Sequence, residues 1–172
     1  INALAQGMPE AARGNFCGIH FFNPPRYMAL VELIATRSTG AATLDALEAW
    51  LTTRLGKSIV RAKDTPNFVA NRVGVMSILA VMHHTARLGL GLDEVDALTG
   101  PLIGRPKSAT YRTADVVGLD TLAHVVGTMQ ATLPDDPWHR YFSTPEWLAA
   151  LISQGALGQK TRGGIYRKEG KI

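Results

Sequence analysis

The sequence is poor in residues that staple, chelate or span. A single cysteine, Cys17, among 172 residues excludes an internal disulfide and any multi-cysteine metal site, and it suits a reducing compartment, with the cytoplasm as the expected location. His83 and His84 are adjacent, so on a helix they point about 100° apart and cannot share a metal ion. With no HExxH pattern in addition, no metal is expected. The longest apolar run, Val73 to Met82, is ten residues and follows Asn71 and Arg72, well short of the roughly 18 that suggest a membrane span. No signal-peptide pattern follows Ile1, and the chain reads as part of something longer. Glycine is not scarce, but no GxGxxG occurs and neither Gly89 with Gly91 nor Gly163 with Gly164 opens a helix after a strand, so a phosphate-cradling loop is missing. Positive charge is in modest excess, 18 Lys plus Arg against 14 Asp plus Glu. It is scattered, with one small cluster at Lys160, Arg162, Arg167, Lys168 and Lys171, whereas nucleic-acid binding concentrates it on one face.

What is present is core-forming material. Hydrophobic residues make up 46% and charged residues 19%, the balance of a globular protein with one domain or two small ones. Residues 1–13 read as the end of a helix and a loop. FCGIHFF at 16–22 and ALVELIA at 29–35 are rich in strand formers and are separated by NPPRYM, whose prolines break both helix and ladder. So short a connection predicts antiparallel pairing, because a parallel partner needs a crossover of a dozen or more residues. Leu44, Leu47, Trp50 or Leu51 and Leu55 predict a helix over 39–56 that Gly56 stops, and SIVRAKD at 58–64 reads as a third strand. After Asp64 the pattern is helical. Thr65 as N-cap and Pro66 in the first turn open a helix to about Leu88, apolar nearly all round from Val73 to Met82 as a buried helix would be. Further helices are expected from Asp93, over 109–133 with a bend near Gly118, and over 145–155 behind a Thr144 cap. The fold expectation is therefore α+β, divided into residues 1–64 and an all-α part at 65–172.

Chemistry concentrates in the first part. His20 lies near the end of one strand and Glu32 in the middle of the next, so paired strands would let imidazole and carboxylate meet. In such a pair the histidine takes a proton from a substrate hydroxyl while the carboxylate fixes its tautomer and stabilises the imidazolium; a satisfied core histidine is the plain alternative. Asn23 opens the proline loop, where a turn role would suffice. Asn71 is a poor helix former on a face that otherwise looks buried, and it suits either a structural hydrogen bond or an amide aimed at a ligand oxygen.

Three segments, GIHFFNPPRYMALVELI at 18–34, KDTPNFVANRVG at 63–74 and LGQKTRGGIYRK at 157–168, resemble the 3-hydroxyacyl-CoA dehydrogenase family in order and spacing. The stretch at 96–120 resembles bacterial members fused to, or working with, an enoyl-CoA hydratase in fatty-acid β-oxidation. The resemblance implies NAD-dependent oxidation of an L-3-hydroxyacyl-CoA to the 3-ketoacyl-CoA. It places the catalytic histidine at His20, its glutamate partner at Glu32, substrate and nicotinamide orientation at Asn23, a substrate contact at Asn71 and a cofactor contact at Lys160. It also implies a homodimer through the helical domain. The family's Rossmann fingerprint and the serine that completes its substrate site do not occur here. Residues 1–64 then read as the C-terminal remnant of the NAD-binding domain, and two readings follow: an NAD-dependent dehydrogenase whose fragment is inactive alone, or a non-catalytic helical dimerisation module. A relative of the 6-phosphogluconate type is a weaker alternative, since those enzymes use a lysine base where this chain has the HFFNP and LVE pair.

Overall fold

A computed structural model describes residues 1–167; Lys168 and Lys171 of the basic cluster lie outside them. The chain divides into two compact units, Ile1–Ala70 and the residues from Asn71 onward. Mixed α/β in the first unit and all-α in the second, it is an α+β fold.

The first unit holds α1 (Asn2–Gln6), α2 (Glu10–Arg13), β1 (Cys17–Phe21), β2 (Leu30–Ala35), α3 (Ala41–Leu55) and β3 (Ser58–Ala62). Its sheet has the order β1-β2-β3, with β2 antiparallel to β1 and parallel to β3. The antiparallel pair is what the short proline connection requires, whereas the parallel pair uses α3 as its crossover. Val31, Glu32, Leu33 and Ile34 are all buried, so β2 is covered on both faces, as a central strand should be. Val31 and Leu33 pack with Leu44 and Leu51 of α3. The left-handed Gly56 (φ 63°) ends α3 and lets the Gly56 and Lys57 amides reach Thr52 and Leu51 carbonyls, the usual αL stop. Apolar residues stay exposed here, among them Ile19, Phe21, Tyr27 and Trp50.

The second unit holds most of α4 (Ala70–Leu88), then α5 (Leu92–Leu98), α6 (Tyr111–Val117), α7 (Leu119–Thr132) and α8 (Glu146–Ser153), with short 3-10 turns at Pro101–Ile103, His139–Tyr141 and Gln159–Thr161. Its core joins Val75, Leu79 and Met82 of α4 to Leu119, Leu122, Val126 and Met129 of α7, with Tyr111, Phe142 and Leu148 fully buried among them. The spacing of three and four along α4 and α7 builds one apolar stripe on each helix.

Four expectations change, one of them being the Thr144 cap, since α8 starts at Glu146 behind Pro145 with no side-chain cap. Helix α4 starts at Ala70, not behind Thr65, because Asn67 (φ 60°) and Phe68 (φ 50°) are left-handed. It is also not buried all round: Val73 is 58% exposed, and the core uses one stripe only. The helix expected over 109–133 is two helices, since the buried Gly118 takes φ 97° between α6 and α7, a conformation that an L side chain rarely adopts.

Buried carboxylates gather backbone amides in this unit, and one of them replaces a local cap. Asp96, on α5, accepts the Thr110 and Tyr111 amides at 3.0 and 2.7 Å, the Arg112 amide at 3.1 Å and the Tyr166 hydroxyl at 3.0 Å. It thereby satisfies free N–H groups that open α6. Burial, and then the neighbouring Asp96, push the Tyr166 hydroxyl above its ordinary range. Asp115 likewise holds the Ile165 and Tyr166 amides at 2.8 and 2.9 Å, and Gly164 is required there because a Cβ would collide with the Asp115 carboxylate. Asp136, nearly fully buried, accepts Arg72 Nε at 2.7 Å and the Trp138 amide at 2.8 Å. Burial alone would raise the Asp136 carboxyl, but the Trp138 amide and the Arg72 guanidinium outweigh it and hold it below the usual carboxylate range.

Asp96→Ala strands several buried donors at once, and urea unfolding should show a loss of about 2–4 kcal/mol. Because the folded carboxyl is depressed, the contribution of Asp136 is complete above the ordinary carboxylate range and disappears as pH falls through its lowered value. Thermal melts from pH 7 down to pH 2 should therefore lose less stability in Asp136→Asn than in the wild type, starting from a lower melting temperature at neutral pH.

Candidate active site

The register of β1 against β2 pairs His20 directly with Glu32. Directly opposed residues on an antiparallel pair project to the same face, which here is opposite to the Val31 and Leu33 face that meets α3. His20 Nδ1 lies 2.7 Å from Glu32 Oε2. A carboxylate accepts, so Nδ1 carries the proton and Nε2 presents a lone pair. The Glu32 side chain is fully buried and that of His20 is 30% exposed, leaving the imidazole partly accessible and its partner dry.

A buried carboxylate needs more than one donor, and Glu32 has three. Its Oε1 accepts the amides of Val69 and Ala70 at 2.9 and 2.8 Å, two of the otherwise free N–H groups that lead into α4. These bonds keep residues 65–70 with the first unit. The His20 ring is also flanked by aromatic rings, with centroids 4.5 Å away for Phe22 and 5.5 Å for Phe68, each tilted by 57°. Phe22, Phe68 and the Val69 and Ala70 amides went unnoticed in the sequence. Asn67, a residue tolerant of the left-handed region placed just after a proline, was the one local sign of an unusual turn.

The other sequence candidates are placed as follows. Asn23 is exposed, three residues beyond His20, at a cis Asn23–Pro24 bond. Asn71 is half-buried in the first turn of α4. Lys160 lies in the second unit, where its ammonium donates to Asp120 at 2.6 Å, and this bond holds the Asp120 carboxyl below its ordinary value. Cys17 is no nucleophile in waiting, since burial pushes its thiol up.

A dinucleotide's pyrophosphate needs free backbone amides at a strand-to-helix turn. In the β2–α3 turn the Thr36 amide donates to Thr39 Oγ1, Ser38 to Thr36 Oγ1 and Gly40 to the Gly14 carbonyl. The turn before α4 has given its last two amides to Glu32.

Residues 1–65 match the family described as 3-hydroxyacyl-CoA dehydrogenase, NAD binding domain, and residues 68–168 match 3-hydroxyacyl-CoA dehydrogenase, C-terminal domain. A probable 3-hydroxyacyl-CoA dehydrogenase of Bacillus subtilis is 43% identical over 99% of the chain, and one of Deinococcus radiodurans is 42% identical over 95%. The chain spans only 22% and 46% of the lengths of those two proteins. The (S)-3-hydroxybutyryl-CoA dehydrogenase of Ralstonia eutropha superposes with a TM-score of 0.82 at 32% identity, over 99% of this chain and 57% of that one. With both domain families matched in order along nearly its whole length, the chain belongs to the 3-hydroxyacyl-CoA dehydrogenase family.

Proposed function

We propose that this chain supplies the catalytic base, and the carboxylate that orients it, to an NAD-dependent enzyme that oxidises L-3-hydroxyacyl-CoA to 3-ketoacyl-CoA in fatty-acid β-oxidation. The observation that carries the reading is the 2.7 Å contact between His20 Nδ1 and a fully buried Glu32 carboxylate. With Nδ1 engaged, Nε2 takes the proton of the substrate's 3-hydroxyl as the carbonyl forms, and Glu32 stabilises the resulting imidazolium. NAD, when bound, supplies the acceptor for the hydride that leaves C3. In this reading Asn23 orients the substrate and the nicotinamide, Asn71 contacts the substrate, and Lys160 contributes to the cofactor side once released from Asp120. An associated or fused enoyl-CoA hydratase would produce the 3-hydroxyacyl-CoA consumed here. The lone cysteine suits the cytoplasm, and no helix among the described residues is long and apolar enough to cross a membrane.

A second reading is favoured by apolar side chains left in solvent on the helical unit, including Leu102 at 77% and Val73 at 58% exposure. It makes that unit a homodimerisation module, and it is compatible with the first.

In the whole enzyme, His20→Gln should lower acetoacetyl-CoA reduction by NADH by about 10²- to 10⁴-fold with an unchanged melting curve; near-normal turnover would sink the assignment. Light scattering on the helical module should report a dimer, and a monomer persisting at high concentration would refute the second reading.

A further inference from the structure

We propose that Phe68 is a positioning residue of the base, and that the 65–70 turn holds the ring against His20 as part of the same assembly as Glu32. The inference rests on the dehydrogenase reading and gives Phe68, which lies within the segment at 63–74, a role that reading did not assign.

Three independent observations converge. Asn67 and Phe68 are consecutive non-glycine residues with φ of 60° and 50°. Such conformations are strained for L side chains and persist where the surroundings enforce them. The surroundings here are visible: the Phe68 amide donates to the Thr65 carbonyl at 3.0 Å, and the next two amides are held by Glu32 Oε1. The left-handed turn delivers an aromatic ring 5.5 Å from the His20 imidazole. Phe68 is also only half-buried and stands outside the apolar clusters of both units, so core packing does not explain it.

The contacts form a closed circuit. His20 Nδ1 donates to Glu32 Oε2, Glu32 Oε1 accepts Val69 and Ala70, and the residue before Val69 returns its ring to His20. In this proposal the Phe68 ring limits the swing of the imidazole away from Glu32, and the amide bonds to Glu32 hold the turn that carries the ring. Phe22, 4.5 Å away, restrains the imidazole further. A base whose Nε2 must meet a substrate hydroxyl within hydrogen-bond reach gains from this restraint, because small misplacements cost large factors in rate.

The test uses the whole enzyme with Phe68→Leu, which keeps apolar bulk without a ring, and Phe68→Tyr, which keeps the ring. Phe68→Leu should lower kcat about ten- to a hundred-fold with KM changed less than two-fold, and Phe68→Tyr should restore most of it. Nitrogen-detected NMR of the free enzyme supplies a readout independent of turnover: the His20 Nδ1–H tautomer should dominate in the wild type and Phe68→Tyr, and should become mixed in Phe68→Leu. Unchanged kcat with a single tautomer in Phe68→Leu overturns the proposal, as does a change confined to KM, which would make Phe68 a substrate contact. A lower kcat that tracks loss of folded protein, with the tautomer intact in the folded fraction, overturns it as well. His20→Gln measured in parallel separates the two claims, since full activity there defeats the dehydrogenase reading itself, whereas its loss beside an indifferent Phe68 defeats only this one.

Discussion

A carboxylate placed in a dry protein interior must be surrounded by donors or it will not stay charged there, and Glu32 is the group around which the first unit is arranged. It sits on the central strand, fully buried, with one oxygen given to His20 and the other to two amides ahead of α4. Its placement depends on the β1–β2 register, because a slip of one residue would turn Glu32 toward the α3 face and put an apolar neighbour opposite the imidazole. It also depends on the left-handed turn at Asn67 and Phe68, without which the amides would not point at it. Register, turn and helix start are therefore not separable features of the unit.

The same device recurs in the helical unit without any candidate base beside it. Asp96 and Asp115 are buried carboxylates that take backbone amides from distant segments, and the buried Asp136 carboxylate takes the Arg72 side chain and the neighbouring Trp138 amide. Asp96 delivers from α5 the cap that opens α6, as Glu32 does at the start of α4, so these two helices begin where a remote acid meets them and not where the local sequence would start them. This explains why helix starts were the least accurate part of the sequence reading. Thr65 with Pro66 is a sound local signal for a helix start, yet the strained turn and the pull of Glu32 move the start to Ala70.

The candidate site was partly legible for a physical reason. His20 and Glu32 lie in short strand-like runs joined by a proline loop too short for a crossover, which is enough to bring the strands together antiparallel. The flanking rings were not legible, since Phe22 reads as one more strand apolar and Phe68 as the first turn of a helix it does not belong to. Asn23, Asn71 and Lys160 were singled out from motif likeness, and their roles rest on the proposed reaction.

By itself the sequence determined the strands, the amphipathic face of α3, the α+β class and the likeness to 3-hydroxyacyl-CoA dehydrogenases, because side-chain periodicity and motif order are properties of the linear chain. Only the tertiary structure decided the helix starts, the break at Gly118, the aromatic enclosure of His20 and the donor set on Glu32. Those depend on which groups compete for a buried charge or an unsatisfied amide, and the competitors are tens of residues apart in the sequence, where no local pattern can rank them.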